Sequence, residues 1–312
     1  MRVFSQLMER NLPVNRRIID VHNHPNWHGH SIDDLVRNMD EHGIEKTWLL
    51  AWEISDREYR QACPQYFGHM DPRGNGAPLD LVIEGLQRYP DRFIGGWAPD
   101  PRDRFSRAML KSAVAIHGIR VYGEFKCRLR FDNPDAIAMY RLCGELGLPV
   151  LFHLQCAPAA VEKQAEDLSN WVEWYGGDMR VVETICRLCP DTTFIGHGPG
   201  FWREISADCD ETPGSYPSGP VKPGGKLTQV LRECSNLWCD ISAGSGANGI
   251  GRDLEHGRTF CLEFQDRILF GRDYFDRRQM DVLDSLDLPD DVLDKIYAQN
   301  AERVLEKGGS ES

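Results

Sequence analysis

The chain has 312 residues, 41% hydrophobic and 27% charged, which suffices for one large core or two modest domains of a soluble protein. Its formal net charge of -12 disfavours nonspecific binding to nucleic acid or anionic membrane, because no basic run offsets the acidic surface. Residues 1–17 lack the apolar segment of a signal peptide, and no later stretch approaches the ~18 apolar residues of a membrane span. We therefore expect a cytoplasmic protein that acts away from membranes.

Short β-rich runs alternate with helical patterns along almost the whole chain, which is typical of strand-helix units around a parallel sheet. The predicted strands are Ile18–His22, Lys46–Ala51, Phe93–Ala98, Gly118–Lys126, Pro149–His153, Thr192–His197, Leu237–Ser242 and Arg267–Gly271. The predicted helices are Ser31–His42, Leu79–Tyr89, Arg102–Ala115, Pro134–Leu146, Met179–Leu188, Leu227–Cys234, Leu254–Phe264 and Pro289–Leu305.

Eight such units predict an α/β fold, a (β/α)8 TIM barrel with some distortion, formed by residues 1–312 as a single domain. An open doubly wound sheet is disfavoured because no glycine-rich phosphate-binding motif follows the first strand. Two long loops rich in glycine and proline, residues 53–78 and 198–225, are predicted to form lids over the barrel mouth or contacts between subunits.

The ten cysteines lie mostly in apolar or helical contexts, which favours buried reduced thiols. Cys186 and Cys189 form a Cys-x-x-Cys pair, but no second pair completes a zinc site. We therefore predict no metal or redox role for them.

The first predicted strand ends in His22 and His24. Residues two apart in a strand share one face, so both imidazoles could bind one divalent metal. For this pair alone, two idle solvated side chains are an equally good explanation. The test is whether later strands end in further ligands.

Several later strands do end in such side chains. In a strand-helix barrel these ends meet on one face, so the side chains converge although they are far apart in sequence. Any single histidine could instead cap a loop or make a core hydrogen bond, but the joint pattern favours a metal centre. The residues are Glu124 and Lys126 on strand four, His153 on strand five, His197 on strand six and Asp273 on strand eight.

This set of motifs resembles the amidohydrolase superfamily, in the branch related to aminocarboxymuconate-semialdehyde decarboxylase. The resemblance runs from Asp20-Val21-His22-Asn23-His24 to the chain's last helix. It includes Gly147-Leu148-Pro149-Val150-Leu151-Phe152-His153, Gly196-His197-Gly198 and Asp266-Arg267-Ile268-Leu269-Phe270-Gly271-Arg272-Asp273-Tyr274.

The resemblance implies one or two divalent ions, with Zn²⁺ first and Mn²⁺ or Fe²⁺ as alternatives. It implies that His22, His24, His153 and Asp273 are metal ligands. His197 would either bind a second metal or orient the attacking water. Metal-bound water would be the nucleophile, with Asp273 as the acid and base that moves its proton.

Strand four decides how many ions are expected. The Gly123-Glu124 pair is similar to the Gly-Glu turn of the metal-dependent deoxyribonuclease branch, which implies that Glu124 bridges two ions. Lys126 shares the face of Glu124 and is interpreted as a substrate clamp or, alternatively, a carbamylated bridge. An exposed ion pair between these two residues is the competing explanation.

Further substrate contacts are predicted from position next to the ligands. His28 follows the first histidine pair, Trp202 follows His197, and Arg272 precedes Asp273. Arg120 and Arg272 could bind a carboxylate through two hydrogen bonds, although arginines beside strands more often make structural ion pairs.

We therefore predict a metal-dependent hydrolase that cleaves an amide, ester or lactone of a small, carboxylated molecule. The alternative is a metal-dependent nonoxidative decarboxylase, a lyase, acting on an aromatic or unsaturated carboxylic acid. A phosphoesterase or nuclease is disfavoured by the acidic charge, and a noncatalytic metal-binding barrel by the complete ligand set. The predicted partners are the small substrate and a second copy in a homo-oligomer such as a dimer, but not nucleic acid.

Overall fold

The structure of the protein is a computed structural model that describes residues 16–53, 76–155, 176–211 and 214–306. Its main strands run parallel and alternate with helices along the chain. The strands are β1 (Ile19–Asn23), β2 (Lys46–Leu50), β3 (Phe93–Gly96), β4 (Tyr122–Phe125), β5 (Val150–His153), β6 (Phe194–His197), β7 (Leu237–Asp240) and β8 (Ile268–Leu269).

The strands form two arcs, β1-β2-β3 and β4-β5-β6-β7-β8, which meet at both ends. Gly96 bridges Val121 in parallel, which joins β3 to β4. The Val21 N–H donates to the Phe270 carbonyl at 2.9 Å, which joins β1 to the end of β8. The fold is a (β/α)8 TIM barrel, and the predicted fold class is confirmed.

Each predicted helix is present, with ends that differ by a few residues. Ser31 and Asp34 form the capping box that begins the first helix, so its start follows the sequence pattern closely. The helices are α1 (Ile32–Glu41), α2 (Leu79–Arg88), α3 (Ser106–His117), α4 (Pro134–Glu145), α5 (Met179–Leu188), α6 (Pro199–Trp202), α7 (Lys226–Glu233), α8 (Ala243–Gly251), α9 (Leu254–Glu263), α10 (Arg278–Ser285), α11 (Asp290–Asp294) and α12 (Asn300–Glu306).

Some elements were not predicted. Helices α8 and α10 are new, and α6 lies within the loop predicted over residues 198–225. Residues 52–53 and 76–77 form a small antiparallel pair at the two ends of the other predicted loop; residues 54–75 of that loop lie outside the described residues. A π-helical turn, Lys295–Gln299, joins α11 to α12.

None of the helices in the described part of the chain is long and apolar enough to span a membrane. Cys186 and Cys189 are buried free thiols in and directly after α5.

The barrel interior shows how the strands place the site. Leu151, Ile195 and Trp238 are paired in register on β5, β6 and β7 and pack together in an interior cluster. The intervening residues Phe152 and Phe194 belong instead to the layer between strands and helices. Because side chains alternate along a strand, the next inward positions are His153, His197 and Asp240.

Candidate metal centre

Four histidines and two carboxylates meet at the carboxyl ends of the strands. The Nε2 atom of His24 lies 3.6 Å from Oε2 of Glu124 and 3.5 Å from Oδ1 of Asp273. The Nε2 atom of His197 lies 3.8 Å from both Glu124 and Asp273. The structure thus brings together His22, His24, Glu124, His153, His197 and Asp273.

Two of these side chains, those of His22 and Glu124, lie where the strand pairing is irregular. The register shifts between Asp20 and Asn23 on β1, and between Tyr122 and Phe125 on β4. Such a shift breaks strict alternation and re-aims a side chain. It explains why Glu124 faces the histidines although its neighbours Tyr122 and Phe125 pack against the helices.

The donor atoms fit a divalent cation. His22 Nε2, Glu124 Oε2 and Asp273 Oδ1 are buried and have no hydrogen-bond partner among the described residues. His22 Nε2 lies 3.8 Å from Asp273 Oδ1 and 3.9 Å from Glu124 Oε1, too far for hydrogen bonds. Ligands ~2.1 Å from one ion lie roughly 3–3.5 Å apart, so a small inward movement would place these atoms around a metal.

The charge of the site also favours a cation. In the described part of the chain, this cluster holds the carboxylates of Glu124, Asp240 and Asp273, and the ammonium of Lys126 lies 3.8 Å from Glu124. Uncompensated charge in a buried site is costly, and a divalent ion would offset the excess of negative charge.

Glu124 lies between two sets of histidines. Its Oε1 accepts a hydrogen bond from His153 Nδ1 at 2.8 Å, and its side chain is 2% exposed. Glu124 can form one ligand group with His22 and His24, and a second with His153 and His197. Glu124 therefore belongs to two candidate ligand groups.

Both carboxylates at the front of the site stay ionised. Burial raises the pKa of Glu124, but Lys126 and His153 outweigh it and hold the pKa well below its usual range. Burial raises the pKa of Asp273 in the same way, and His22 and His24 lower it overall.

The pKa values of two histidines move in opposite directions. Burial lowers the pKa of His22, but Asp273 and Asp240 raise it to about 9 overall. Burial and the charge of Lys126 lower the pKa of His153 to about 4. In the metal-free protein at neutral pH, His22 therefore carries a proton that a metal must displace, whereas His153 does not.

Asp240 is a site residue that the sequence analysis missed. It ends β7, is fully buried, and lies 2.7 Å from His22 Nδ1. The signal was available, because Leu237-Trp238-Cys239-Asp240 ends in a carboxylate at the same position at which β5 and β6 end in histidine.

Two of the predicted substrate residues have neighbours next to the metal ligands. The Lys126 ammonium lies 3.8 Å above the ring of Trp52, close to Glu124. His28 is exposed beside Tyr274, with ring centroids 4.8 Å apart.

The other two predicted substrate residues lie in the interior. Arg272 is fully buried, and its Nε donates to Asp20 at 2.8 Å. Trp202 is 1% exposed, and its indole donates to the backbone carbonyl of Asp240. Arg120, also considered for a carboxylate, donates to the Leu305 carbonyl. Arg272 Nε and Nη1 and the indole of Trp202 are thus bound within the protein, and contact of these two side chains with substrate stays a prediction.

The sequence model of a family described as Amidohydrolase matches residues 19–307. No curated protein matches the chain at a significant level.

Solved structures with the same fold cover nearly the whole chain at low identity. An uncharacterised TIM-barrel protein from Bordetella bronchiseptica is 18% identical, with a TM-score of 0.59, and the alignment covers 94% of this chain and 99% of that one. A probable 2-pyrone-4,6-dicarboxylic acid hydrolase from Acinetobacter baumannii, solved with citric acid, is 13% identical, with a TM-score of 0.56. That alignment covers 93% of this chain and 99% of the other. A dihydroxybenzoic acid decarboxylase from Polaromonas sp. JS666, solved with manganese and an inhibitor, is 17% identical, with a TM-score of 0.54. That alignment covers 93% of this chain and 97% of the other.

Proposed function

The chain belongs to the amidohydrolase family and is a metal-dependent enzyme; from this premise we propose that it hydrolyses an amide, ester or lactone bond of a small, carboxylated molecule. The observation that carries the proposal is the position of Glu124. A buried carboxylate shared by two histidine pairs is suited to a centre of two ions, and such centres serve hydrolysis by activated water.

The residues that would hold the ions are His22, His24 and Asp273 for one, and His153 and His197 for the other, with Glu124 shared. The nitrogen and oxygen donor set fits Zn²⁺, with Mn²⁺ or Fe²⁺ as alternatives. When bound, a divalent ion lowers the pKa of its water toward ~7 and polarises a carbonyl oxygen.

Asp273 is proposed as the group that takes the proton from the attacking water and delivers it to the leaving group. Its backbone N–H donates to the His22 carbonyl at 2.8 Å, and its own carbonyl accepts from Trp27 at 2.7 Å. These contacts fix the backbone from which the carboxylate projects. Its lowered pKa keeps it ionised and ready to accept a proton.

Lys126 is proposed to bind the carboxylate of the substrate. Its ammonium is a cation next to the ligand set, and the ring of Trp52 supports it. A charge-assisted contact of this kind selects anionic over neutral substrates.

A second candidate function is nonoxidative decarboxylation. The hydrogen bond between His153 and Glu124 favours it, because a histidine kept on Glu124 would leave a single ion on His22, His24 and Asp273. His197 would then be free to deliver a proton to the carbon that loses CO2. The similar fold of the Polaromonas decarboxylase supports this alternative.

The deciding experiment is metal content per chain, measured by mass spectrometry in protein purified without chelators. We expect two ions in the wild type and one in Glu124→Ala. The control is Glu233→Ala, which removes an exposed carboxylate paired only on the surface with Arg187. One ion in all three proteins, together with CO2 release from aromatic acids, would establish the decarboxylase instead.

A further inference from the structure

Behind the proposed metal ligands, one carboxylate oxygen collects several hydrogen bonds. Asp240 Oδ2 lies 2.7 Å from His22 Nδ1, 3.3 Å from His197 Nδ1 and 2.7 Å from Ser242 Oγ. Ser242 Oγ itself lies 2.9 Å from His197 Nδ1. His22, Asp240 and Ser242 are fully buried and His197 is 1% exposed, so bulk water does not compete for these contacts.

The chemistry of these groups fixes the direction of each bond. An ionised carboxylate only accepts, so Ser242 must donate its single hydroxyl proton to Asp240. The serine oxygen can then only accept from His197, which therefore carries its proton on Nδ1. His22 donates its own Nδ1–H directly to Asp240. Two histidines thus donate toward one carboxylate, His22 directly and His197 through Ser242.

We propose that Asp240 and Ser242 are positioning residues that hold His22 and His197 with Nδ1 protonated, so that both Nε2 atoms face the metal centre. The inference rests on the proposed metal centre and extends it to the element that orients its ligands. Carboxylate partners of this kind set the ring orientation and basicity of metal-bound histidines.

Asp240 is itself firmly held. Its Oδ1 accepts the backbone N–H of Ser242 at 2.8 Å, and its backbone carbonyl accepts from Trp202 at 2.9 Å. Gly271 lies against the same carboxylate. The acceptor therefore cannot turn away from the two histidines without losing a buried hydrogen bond, which is costly.

Asp240 and Ser242 differ in how many of the two histidines they hold. Asp240 acts on both histidines. Ser242 acts mainly on His197, since its contact to His22 is longer, at 3.3 Å. The proposal therefore predicts different effects when each residue is removed.

In Asp240→Asn the new amide nitrogen can face either way. In one orientation it meets the backbone N–H of Ser242, and in the other it meets the donors of His22 and Ser242. In both orientations the amide N–H group of the new side chain therefore faces another hydrogen-bond donor. We expect zinc affinity, measured by chelator competition, to fall about 10- to 100-fold.

In Ser242→Ala, we expect a smaller loss of zinc affinity, below about 10-fold, because His197 keeps only the longer contact to Asp240. The matched control is Ser245→Ala. Ser245 is 2% exposed and its hydroxyl has no hydrogen-bond partner among the described residues, so its removal should leave zinc affinity unchanged.

Nitrogen-15 NMR of histidine-labelled protein provides a readout independent of turnover. In wild type, with and without zinc, we expect protonated and slowly exchanging Nδ1 atoms on His22 and His197. Ser242→Ala should lose slow exchange on His197 alone, and Asp240→Asn on both. An unprotonated Nδ1 on either wild-type residue, or wild-type zinc affinity in both variants, would overturn the inference.

The NMR measurement also separates the two proposals. If the wild type binds no divalent metal, the proposed metal centre fails. The Nδ1 signals of the metal-free protein still decide whether Asp240 and Ser242 hold the two histidines as described.

Discussion

Gly271 lies directly against the carboxylate of Asp240: a Cβ atom on Gly271 would stand 2.5 Å from Asp240 Oδ1 and 3.1 Å from the Cβ of His22. Such a separation is far inside van der Waals contact, so no larger residue fits without displacing Asp240. The glycine before Arg272 and Asp273 is therefore a requirement of the site.

The first prediction concerns Gly271→Ala. The methyl group should displace Asp240, reduce zinc affinity about 10-fold or more and cost about 1–3 kcal/mol of stability. Chelator competition and urea unfolding measure the two effects. Gly43→Ala is the control, because Gly43 has a φ of +65° but open space around it; it should lose stability and keep zinc affinity. Unchanged zinc affinity in Gly271→Ala would contradict the close packing.

A second prediction follows from the buried pair of Arg272 and Asp20. Arg272→Ala leaves the Asp20 carboxylate buried without its partner, so the free energy of unfolding should fall by about 3–5 kcal/mol. Arg278→Ala removes an exposed ion pair and should cost no more than about 1 kcal/mol. Urea unfolding distinguishes them. Unchanged stability with a raised KM would instead support the substrate role predicted for Arg272.

The third prediction is a pH dependence of metal binding. The raised pKa of His22, about 9, means that a proton must leave before a metal binds, so zinc affinity should rise about tenfold per pH unit from pH 6.5 to about 9 and then level off. His153, with its pKa lowered to about 4, contributes no proton in this range. Chelator competition across this range measures the slope, and a flat profile would contradict it.

The same proton stabilises the metal-free protein. Because the folded pKa of His22 lies above its ordinary value of 6.5, this stabilisation is complete below pH 6.5 and lost as the pH rises through about 9. Zinc and a proton therefore compete for Nε2 of His22.

The fourth prediction is that Asp273→Asn lowers kcat about 10²- to 10⁴-fold, because an amide cannot take the proton. Asparagine tolerates the left-handed backbone at this position, where φ is 55°. Asp276→Asn, which alters a carboxylate paired with Arg278 in the same loop, is the control and should keep wild-type turnover. Activity of Asp273→Asn within about twofold of wild type would exclude Asp273 as acid and base.

The fifth prediction tests Lys126 as the carboxylate clamp. Lys126→Met keeps an apolar chain beside Trp52 but removes the charge, so KM for a carboxylated substrate should rise about 10- to 150-fold, equivalent to about 1.5–3 kcal/mol. A neutral substrate with the same scissile bond should be little affected. Lys226→Met, which removes a lysine paired with Glu183, is the control. Equal losses for both substrates would argue against substrate recognition by Lys126.

The fold and most of the site could be predicted because parallel strands place their ends on one face. That rule predicted, without knowledge of any contact, that one site contains His22, His153, His197 and Asp273. Asp240 obeys the same rule at the end of β7, although it was not among the predicted site residues.

Other features depend on contacts that no local pattern reveals. Arg272 and Asp20 are 252 residues apart, so a structural ion pair could not be told from a substrate contact. Helix α8 was missed because its segment, Ala243–Gly251, is rich in glycine, which disfavours helix by about 1 kcal/mol per residue. Packing requires a glycine at one of these positions, since a Cβ on Gly246 would stand 2.1 Å from the Ile241 carbonyl oxygen.

The excess of buried negative charge around Glu124, Asp240 and Asp273 has a consequence for how the protein is made. The folded metal-free chain lacks the stabilisation that a bound cation would add, so its final stability is reached only when a metal is acquired. Imidazole and carboxylate donors accept several first-row ions and rank them mainly by the general order of affinity. Which ion the mature enzyme carries is therefore decided largely by the ions supplied during its synthesis, and preparations from zinc-rich and manganese-rich cultures should differ in their metal.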